Sequence, residues 1–187
     1  MRYRILIFFA ASASLLASDS GMDAQIDHVA KVAAVMLDGD VCLKIQTERS
    51  HQYLQKKDPR DPWRAGDNYD VDHTAFQQTK KTLMRLAHLC ATPCDVNLWM
   101  PVPPAPGRVQ ITIRNVLETS QFWTWGDLDQ AMPPEMKTVL ETGERVTVRR
   151  KAGMISVLAP VRDSLGDVVG IAEVASQVKQ DPRENVK

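Results

Sequence analysis

Three β-type runs near the end of the chain constrain the fold more than any other part of the sequence. The runs are 144–149, 154–161 and 168–174. The first alternates valine with polar residues, and the other two are rich in valine, isoleucine and alanine. Gly153 and Gly166 lie between the runs, and glycine supplies the positive φ that short hairpin turns require. The pattern predicts a meander of three antiparallel strands.

Two further runs precede this meander and predict a second antiparallel pair. Residues 96–102 are mostly apolar, whereas residues 109–114 alternate apolar with polar side chains, and the proline-rich stretch 103–107 separates them. The connection from residue 115 to residue 142 is irregular and aromatic, and it predicts a short helix at 135–141. The sequence therefore predicts five strands.

The first half of the chain is helical in pattern. Apolar residues recur every three or four positions from residue 22 to about residue 55, which predicts an amphipathic helix that Gly39 either kinks or splits. A second helix is expected up to about Leu89, with Asp72 or Thr74 as its N-cap. Its basic residues lie off the apolar stripe, so a solvated face is favoured over a surface for an anionic partner. They are Lys80, Lys81, Arg85 and His88.

The beginning of the sequence has the order of a signal peptide. Arg2 and Arg4 precede the apolar run 5–16, and small or polar residues follow at 17–21. The run is shorter than the about 18 residues that a membrane span needs. We expect residues 1–20 to be a leader, either cleaved or retained, and the mature chain to be periplasmic or secreted. The remaining parts are a helical region at 22–91, a sheet with its aromatic connection at 95–177, and a polar tail at 178–187.

The cysteines, histidines and overall charge indicate which disulfides, metal sites and partners to expect. Cys90 and Cys94 are close enough to form a disulfide after export, although two unpaired thiols are the alternative, and Cys42 is expected to be a buried thiol. The four histidines share no ligand spacing, and the segment 67–73 lacks the glycine and glutamate of a calcium loop, so we expect no metal and no cofactor. Basic and acidic residues both number 23, which does not indicate a nucleic-acid partner.

The segment from Ile155 to Ile171 resembles the closing hairpin of Cache sensor domains. It has a strand that ends in Pro160-Val161, an Asp163-to-Gly166 turn and a valine-rich last strand. The order of elements matches over about residues 22–176. The resemblance implies an α+β, PAS-like fold with a long N-terminal helix, a five-stranded antiparallel sheet and helical connections on one face. It also implies extracytoplasmic sensing of a small molecule.

Cache domains usually lie between two membrane helices and precede a signalling module, and this sequence departs from that arrangement. Here the chain ends in a polar tail. The resemblance therefore implies a stand-alone exported domain without its own output module, which either passes a signal to a membrane-bound signalling partner or only binds its ligand.

The crowding of aromatic residues in the connection predicts the binding site. Indole and phenyl rings supply apolar contact, and the indole N–H donates to polar ligands. The leading hypothesis is that a small molecule, such as a carboxylate or an amino acid, lies between the sheet and residues 117–142. The candidate ligand-binding residues are Trp99, Met100, Phe122, Trp123, Trp125, Asp127, Arg149 and Glu173.

Two alternatives remain from the same residues. The aromatic cluster is a core plug if the protein is structural or serves protein interaction. A small α+β enzyme would use Asp127, Asp129 or Glu173 as its base, although no catalytic triad or carboxylate-pair motif is present. Glu173 interrupts an apolar strand, so it lies either on the solvent face or inward with a raised pKa. Arg149 and Arg150 either guard a sheet edge or hold a ligand carboxylate.

Overall fold

The computed structural model describes residues 13–55, 71–103, 107–124 and 129–177, which form an α+β fold with an antiparallel sheet. Its helices are α1 (Ala13–Met36), α2 (Gly39–Ile45), α3 (Glu48–Gln55), α4 (His73–Ala87) and α5 (Pro134–Thr142). Its strands are β1 (Cys94–Pro101), β2 (Arg108–Ile113), β3 (Asp129–Ala131), β4 (Val146–Val148), β5 (Met154–Arg162) and β6 (Val168–Gln177).

The sheet order is β3-β2-β1-β6-β5-β4, and every neighbouring pair is antiparallel. The predicted meander forms β4, β5 and β6, and the predicted pair forms β1 and β2. In the turn between β5 and β6, Gly166 has φ 89°, and the Asp163 side chain accepts from the N–H groups of Leu165 and Asp167. The part of the chain that the structure describes has six strands rather than the predicted five, because β3 adds a short edge to β2.

One face of the sheet packs against α1, α2 and α4. Alternate residues of the three longest strands, including Leu98, Val157 and Val174, point into this layer and meet apolar residues of α1 such as Ile26 and Val29. The alternation of side chains along a strand explains why a single sequence run supplies both faces. This layer forms the larger of two hydrophobic clusters.

The predicted helix of residues 22–55 is divided into three. Asp38 caps α2, since its Oδ1 accepts from the N–H of Val41 at 3.2 Å. Gly39 begins α2 directly against the backbone of Arg162, where a Cβ atom would lie 2.3 Å from the carbonyl oxygen. The second predicted helix is α4, and Asp72 is its cap, accepting from the N–H of Ala75 at 2.8 Å.

The opposite face of the sheet is covered by residues 115–124 and by α5. Trp99, Phe122 and Ile171 belong to the second hydrophobic cluster, together with Met136 and Val139 of α5. The helix predicted at 135–141 corresponds to α5, which Gly143 ends with φ 68°. The central strands are therefore buried on both sides.

The cysteines lie as the sequence predicts. The sulfur atoms of Cys90 and Cys94 are within disulfide-bonding distance, and their Cα atoms are 6.1 Å apart. Cys42 is buried, and burial raises the pKa of its thiol to about 12. In the described ranges, no helix is long and apolar enough to cross a bilayer.

Candidate functional site

Glu173 lies at the centre of the sheet face that the aromatic connection covers. Its register partners are Asn97 on β1 and Leu158 on β5, and its side chain is completely buried. Of the two orientations that the sequence allows, the structure has the inward one. An isolated buried carboxylate would be very costly, so the partners of this side chain determine whether the position is tolerable.

Four hydrogen-bond donors converge on the Glu173 carboxylate. Oε2 accepts from Trp99 Nε1 at 2.9 Å and from Ser120 Oγ at 2.6 Å. Oε1 accepts from the backbone N–H of Gln121 at 2.8 Å and from Ser156 Oγ at 3.0 Å. Burial raises the pKa of Glu173, and these four hydrogen bonds act in the opposite direction. The carboxylate is thus fully supplied with donors and joins the connection to three strands.

Ser120 extends this network into the aromatic segment. Its Oγ accepts from the N–H groups of Phe122 at 3.1 Å and Trp123 at 3.0 Å. Because a hydroxyl has one proton, the Ser120 proton is directed to Glu173. The position of the two aromatic residues is therefore linked to the buried carboxylate through a single hydroxyl group.

A second pair of buried polar residues on β1 holds the start of the connection. Asp95 accepts from the N–H groups of Leu117 at 3.1 Å and Thr119 at 2.7 Å. Asn97 accepts from the N–H of Asn115 at 2.9 Å and donates to the carbonyl of Thr119 at 2.8 Å. We call residues 115–119 the anchored turn. Sequence reasoning missed this pair, although Asp95 and Asn97 alternate with apolar residues along β1.

Gln121 connects the same segment to the loop between β4 and β5. Its Nε2 donates to the carbonyl of Met154 at 2.8 Å. Its Oε1 accepts from the N–H groups of Arg150 at 3.0 Å and Lys151 at 2.7 Å. The side chain of Lys151 also contacts this segment, since its Nζ donates to the carbonyl of Ser120 at 2.7 Å. Residues 120–123 are therefore held from both the sheet and the hairpin loop.

The predicted aromatic residues divide between the core and the surface. Trp99 and Phe122 are buried and form an edge-to-face pair with ring centroids 6.3 Å apart. Met100 is buried in the other hydrophobic cluster, on the helical side of the sheet. Trp123 is only partly buried. Two further candidates, Trp125 and Asp127, lie outside the described residues.

Basic side chains surround the exposed side of the aromatic segment. The Arg114 guanidinium lies 4.3 Å from the Trp123 ring centroid, and that of Arg150 lies 5.1 Å from the Phe122 centroid. Lys151 Nζ is 3.2 Å from the carbonyl of Trp123. We call Arg114, Arg150 and Lys151 the basic rim. Cations over aromatic faces are favourable, and here they leave charge beside a partly exposed indole.

The other charged candidates form ion pairs with residues outside this rim. Arg149 pairs with Asp23 of α1. Asp129 pairs with Arg108 at the β2–β3 edge. In the described ranges, no group of three or more histidine, cysteine, aspartate or glutamate residues could hold a metal ion.

A cleft of about 420 Å³ lies elsewhere, where α1 passes the edge strand β4. Its polar side chains include Arg145 and Asp27, which form an ion pair at 2.9 Å. Arg145 and Lys31 lower the pKa of Asp27, with the hydrogen bond from Lys31 as the largest cause. The other lining residues are Ala34, Gly143, Glu144, Thr147 and Pro160. None of the predicted ligand-binding residues lines this cleft.

Comparison with known proteins finds no family model that matches the chain and no similar curated protein.

Proposed function

We propose that the chain is an exported, PAS-like domain of the Cache type that binds a small carboxylate-bearing molecule at the basic rim. The observation that carries the proposal is the convergence of Arg114, Arg150 and Lys151 on the segment Phe122–Trp123. Cations supply the donors that a carboxylate needs, and the partly buried Trp123 supplies apolar contact.

The arrangement of elements supports the fold part of this proposal. A long α1 precedes the sheet, and the segment that follows β2 covers one face of the sheet, with α5 as its helical part. The last hairpin, β5 to β6, contains the turn at Asp163 and Gly166 on which the resemblance depends. The edge strand β3 is an addition to the expected five strands.

The basic rim is partly neutralised within the protein, and this sets the kind of ligand that would bind. Arg114 pairs with Glu118 at 3.1 Å, and Arg150 pairs with Glu135 at 2.6 Å. The Arg114–Glu118 pair is exposed and is therefore worth little, whereas Arg150 holds Glu135 through two hydrogen bonds, from Nε to Oε1 at 2.9 Å and from Nη2 to Oε2 at 2.6 Å. A ligand carboxylate would displace Glu118 from Arg114 more readily than Glu135 from Arg150, so the proposed site favours a ligand that adds apolar contact with Trp123 to its charge.

Export is the second part of the proposal. The order of residues 1–21 is that of a leader, and the Cys90–Cys94 pair is suited to an oxidising compartment. N-terminal sequencing of protein recovered from the periplasm tests it. A start near residue 21 is expected, and an intact Met1 would oppose cleavage.

The binding proposal is tested by thermal shift and calorimetry with a panel of amino acids, aliphatic carboxylates and aromatic acids. The variants are Arg114→Gln, Lys151→Gln and Trp123→Ala. Lys137→Gln is the control, because Lys137 is an exposed cation of α5 that pairs with Glu141 away from the rim. Ligand-induced stabilisation should persist in the control and fall in the rim variants. If no panel compound stabilises the parent, the binding proposal fails.

A structural or interaction role is the second candidate, and the burial of Trp99 and Phe122 favours it. Both rings fill the space between sheet and connection as core residues. Trp99→Ala should therefore unfold the protein or cost roughly 3–5 kcal/mol. Under the binding proposal, Trp123→Ala should preserve most of the stability, whereas a purely structural cluster would lose stability in both variants.

A further inference from the structure

The anchored turn presents two aliphatic side chains to solvent. Val116 is 71% exposed and Leu117 is 55% exposed. Exposed aliphatic residues are common one at a time. Here they are adjacent, and the chain that carries them is held by buried polar groups.

The backbone of this turn is prepared for an apolar environment. The N–H groups of Asn115, Leu117 and Thr119 are bound by Asn97 and Asp95, as described above. The N–H of Val116 is bound by the Asn115 side chain at 2.9 Å. Burying an unpaired N–H group costs free energy. Because these four N–H groups already have acceptors, transferring the turn from water to an apolar environment would not incur that cost for them.

Glu118 has φ 54°, a conformation that residues with side chains rarely adopt. Such a conformation persists where the surrounding structure fixes it, and the hydrogen bonds to Asp95 on either side of Glu118 do so. The exposed pair is thus displayed on a turn of fixed shape.

A basic helix lies beside the turn. Lys80 of α4 donates to the carbonyl of Arg114, and Asn115 Nδ2 donates to the carbonyl of Leu83 at 3.4 Å. The sequence of α4 contains no acidic residue and carries Lys80, Lys81 and Arg85. Met84, which follows Leu83 on α4, is 40% exposed. The anchored turn and α4 therefore lie side by side, joined through Lys80 and Leu83.

Another exposed apolar residue provides an internal comparison. Leu165 is 86% exposed in the turn between β5 and β6, but its neighbours in that turn include Asp163 and Asp167. An anionic surface would repel the two aspartates of this turn and so keep Leu165 away from it.

The anchored turn also carries a carboxylate, Glu118, but this group pairs with Arg114 at 3.1 Å and the basic α4 lies beside it. The turn of Leu165 has two aspartates and one guanidinium, that of Arg162, which donates to the carbonyl of Gly166, and it is the more acidic of the two turns.

We propose that the anchored turn and α4 bind the surface of an anionic phospholipid bilayer. Val116 and Leu117 enter the boundary between headgroups and acyl chains, and Lys81, Arg85 and their neighbours contact the lipid phosphates. A projecting turn with basic residues beside it suits a flat anionic surface. The turn adjoins the proposed ligand site through the ion pair between Glu118 and Arg114, but the residues assigned to membrane binding differ from those of the basic rim.

The test is co-sedimentation of the full chain with vesicles of phosphatidylcholine alone or of phosphatidylcholine mixed with phosphatidylglycerol. The variants are Val116→Ser/Leu117→Ser and Lys81→Gln/Arg85→Gln, and Leu165→Ser is the control. All carry the same N-terminus, so any contribution of residues 1–20 is common to them. Circular dichroism and melting curves check that each variant is folded.

We expect the parent to bind only the mixed vesicles, more weakly as salt is added. The affinity of the serine variant should fall at least about tenfold, because each buried methylene contributes a factor of roughly four to binding. The glutamine variant should lose roughly fivefold or more per charge, and Leu165→Ser should bind like the parent. The proposal would be overturned if the parent bound neither kind of vesicle or bound both equally. It would also be overturned if the serine variant bound as tightly as the parent.

Discussion

Trp99 and Glu173 meet across the two central strands of the sheet, where the indole Nε1 donates to carboxylate Oε2 at 2.9 Å. Both side chains are buried, and the register places Asn97 rather than Trp99 directly opposite Glu173, so the contact is diagonal. Glu173 thereby serves as a common acceptor for the sheet and for the connection. Two of its four donors, the indole N–H of Trp99 and the backbone N–H of Gln121, cannot act as acceptors.

Glu173→Gln should destabilise the protein by about 1–3 kcal/mol. The indole N–H of Trp99 and the backbone N–H of Gln121 are obligatory donors, and one binds each carboxylate oxygen. A glutamine amide offers only one oxygen, so its NH₂ group must face a donor. Denaturant unfolding of the variant measures the loss, with the exposed Glu141→Gln as control. A variant as stable as the parent would show that the carboxylate is not required.

The pH dependence of stability should also report on Glu173. Burial raises its pKa in the folded chain above the ordinary value of 4.5. The folded state then binds a proton more tightly than the unfolded state, so the stabilisation is present below about pH 4.5 and is lost as pH rises through the folded pKa. The difference in unfolding free energy between the parent and Glu173→Gln should shrink over that window. A difference that grows with pH would mean that the four donors outweigh burial.

Cysteine labelling should distinguish the three thiols. Without reductant, the native protein should resist iodoacetamide, because Cys42 is buried with a thiol pKa of about 12 and the other two cysteines are paired. Denaturation alone should expose one thiol, and denaturation with reduction should expose all three. Mass spectrometry counts the labels. Three labels on denatured, unreduced protein would contradict the disulfide.

Local sequence patterns predicted the elements that local chemistry determines. Apolar alternation identified β2 and β4, runs rich in apolar and β-branched residues identified β1, β5 and β6, and Asp72 was one of two expected caps for α4. The strand β3 was not predicted, because Asp129-Gln130-Ala131 has no apolar alternation. It forms a strand because it pairs with the outer edge of β2, whose backbone N–H and C=O groups require hydrogen-bond partners. A local sequence pattern does not show that requirement.

The site was harder to predict because it depends on register and on distant pairs. A shift of one residue would invert the facing of Glu173, so its orientation could not be read from β6 alone. Ser120 and Gln121 lie more than 50 residues before Glu173, and the hydrogen bonds of both residues depend on how the connection crosses the sheet. Arg149 illustrates the same limit, because its ion-pair partner Asp23 belongs to α1.

Gly39→Ala should destabilise the fold, whereas Gly21→Ala should not. At Gly39, a Cβ atom would lie 2.3 Å from the carbonyl oxygen of Arg162 and 2.6 Å from the N atom of Asp163, so the start of α2 would have to move away from the end of β5. Overpacking of this kind typically costs about 1–3 kcal/mol.

At Gly21, apart from the backbone of its own helix, no atom lies within 4 Å of the added Cβ, so the substitution introduces no clash. Thermal and denaturant unfolding of both variants measure the two effects, and Gly39→Ala should be the less stable variant by at least about 1 kcal/mol. Equal stability of the two variants would show that α2 does not pack directly on the backbone of β5. In that case, the division of the N-terminal helical region at residue 39 would need another cause, and capping by Asp38 would be the first to examine, through Asp38→Ala.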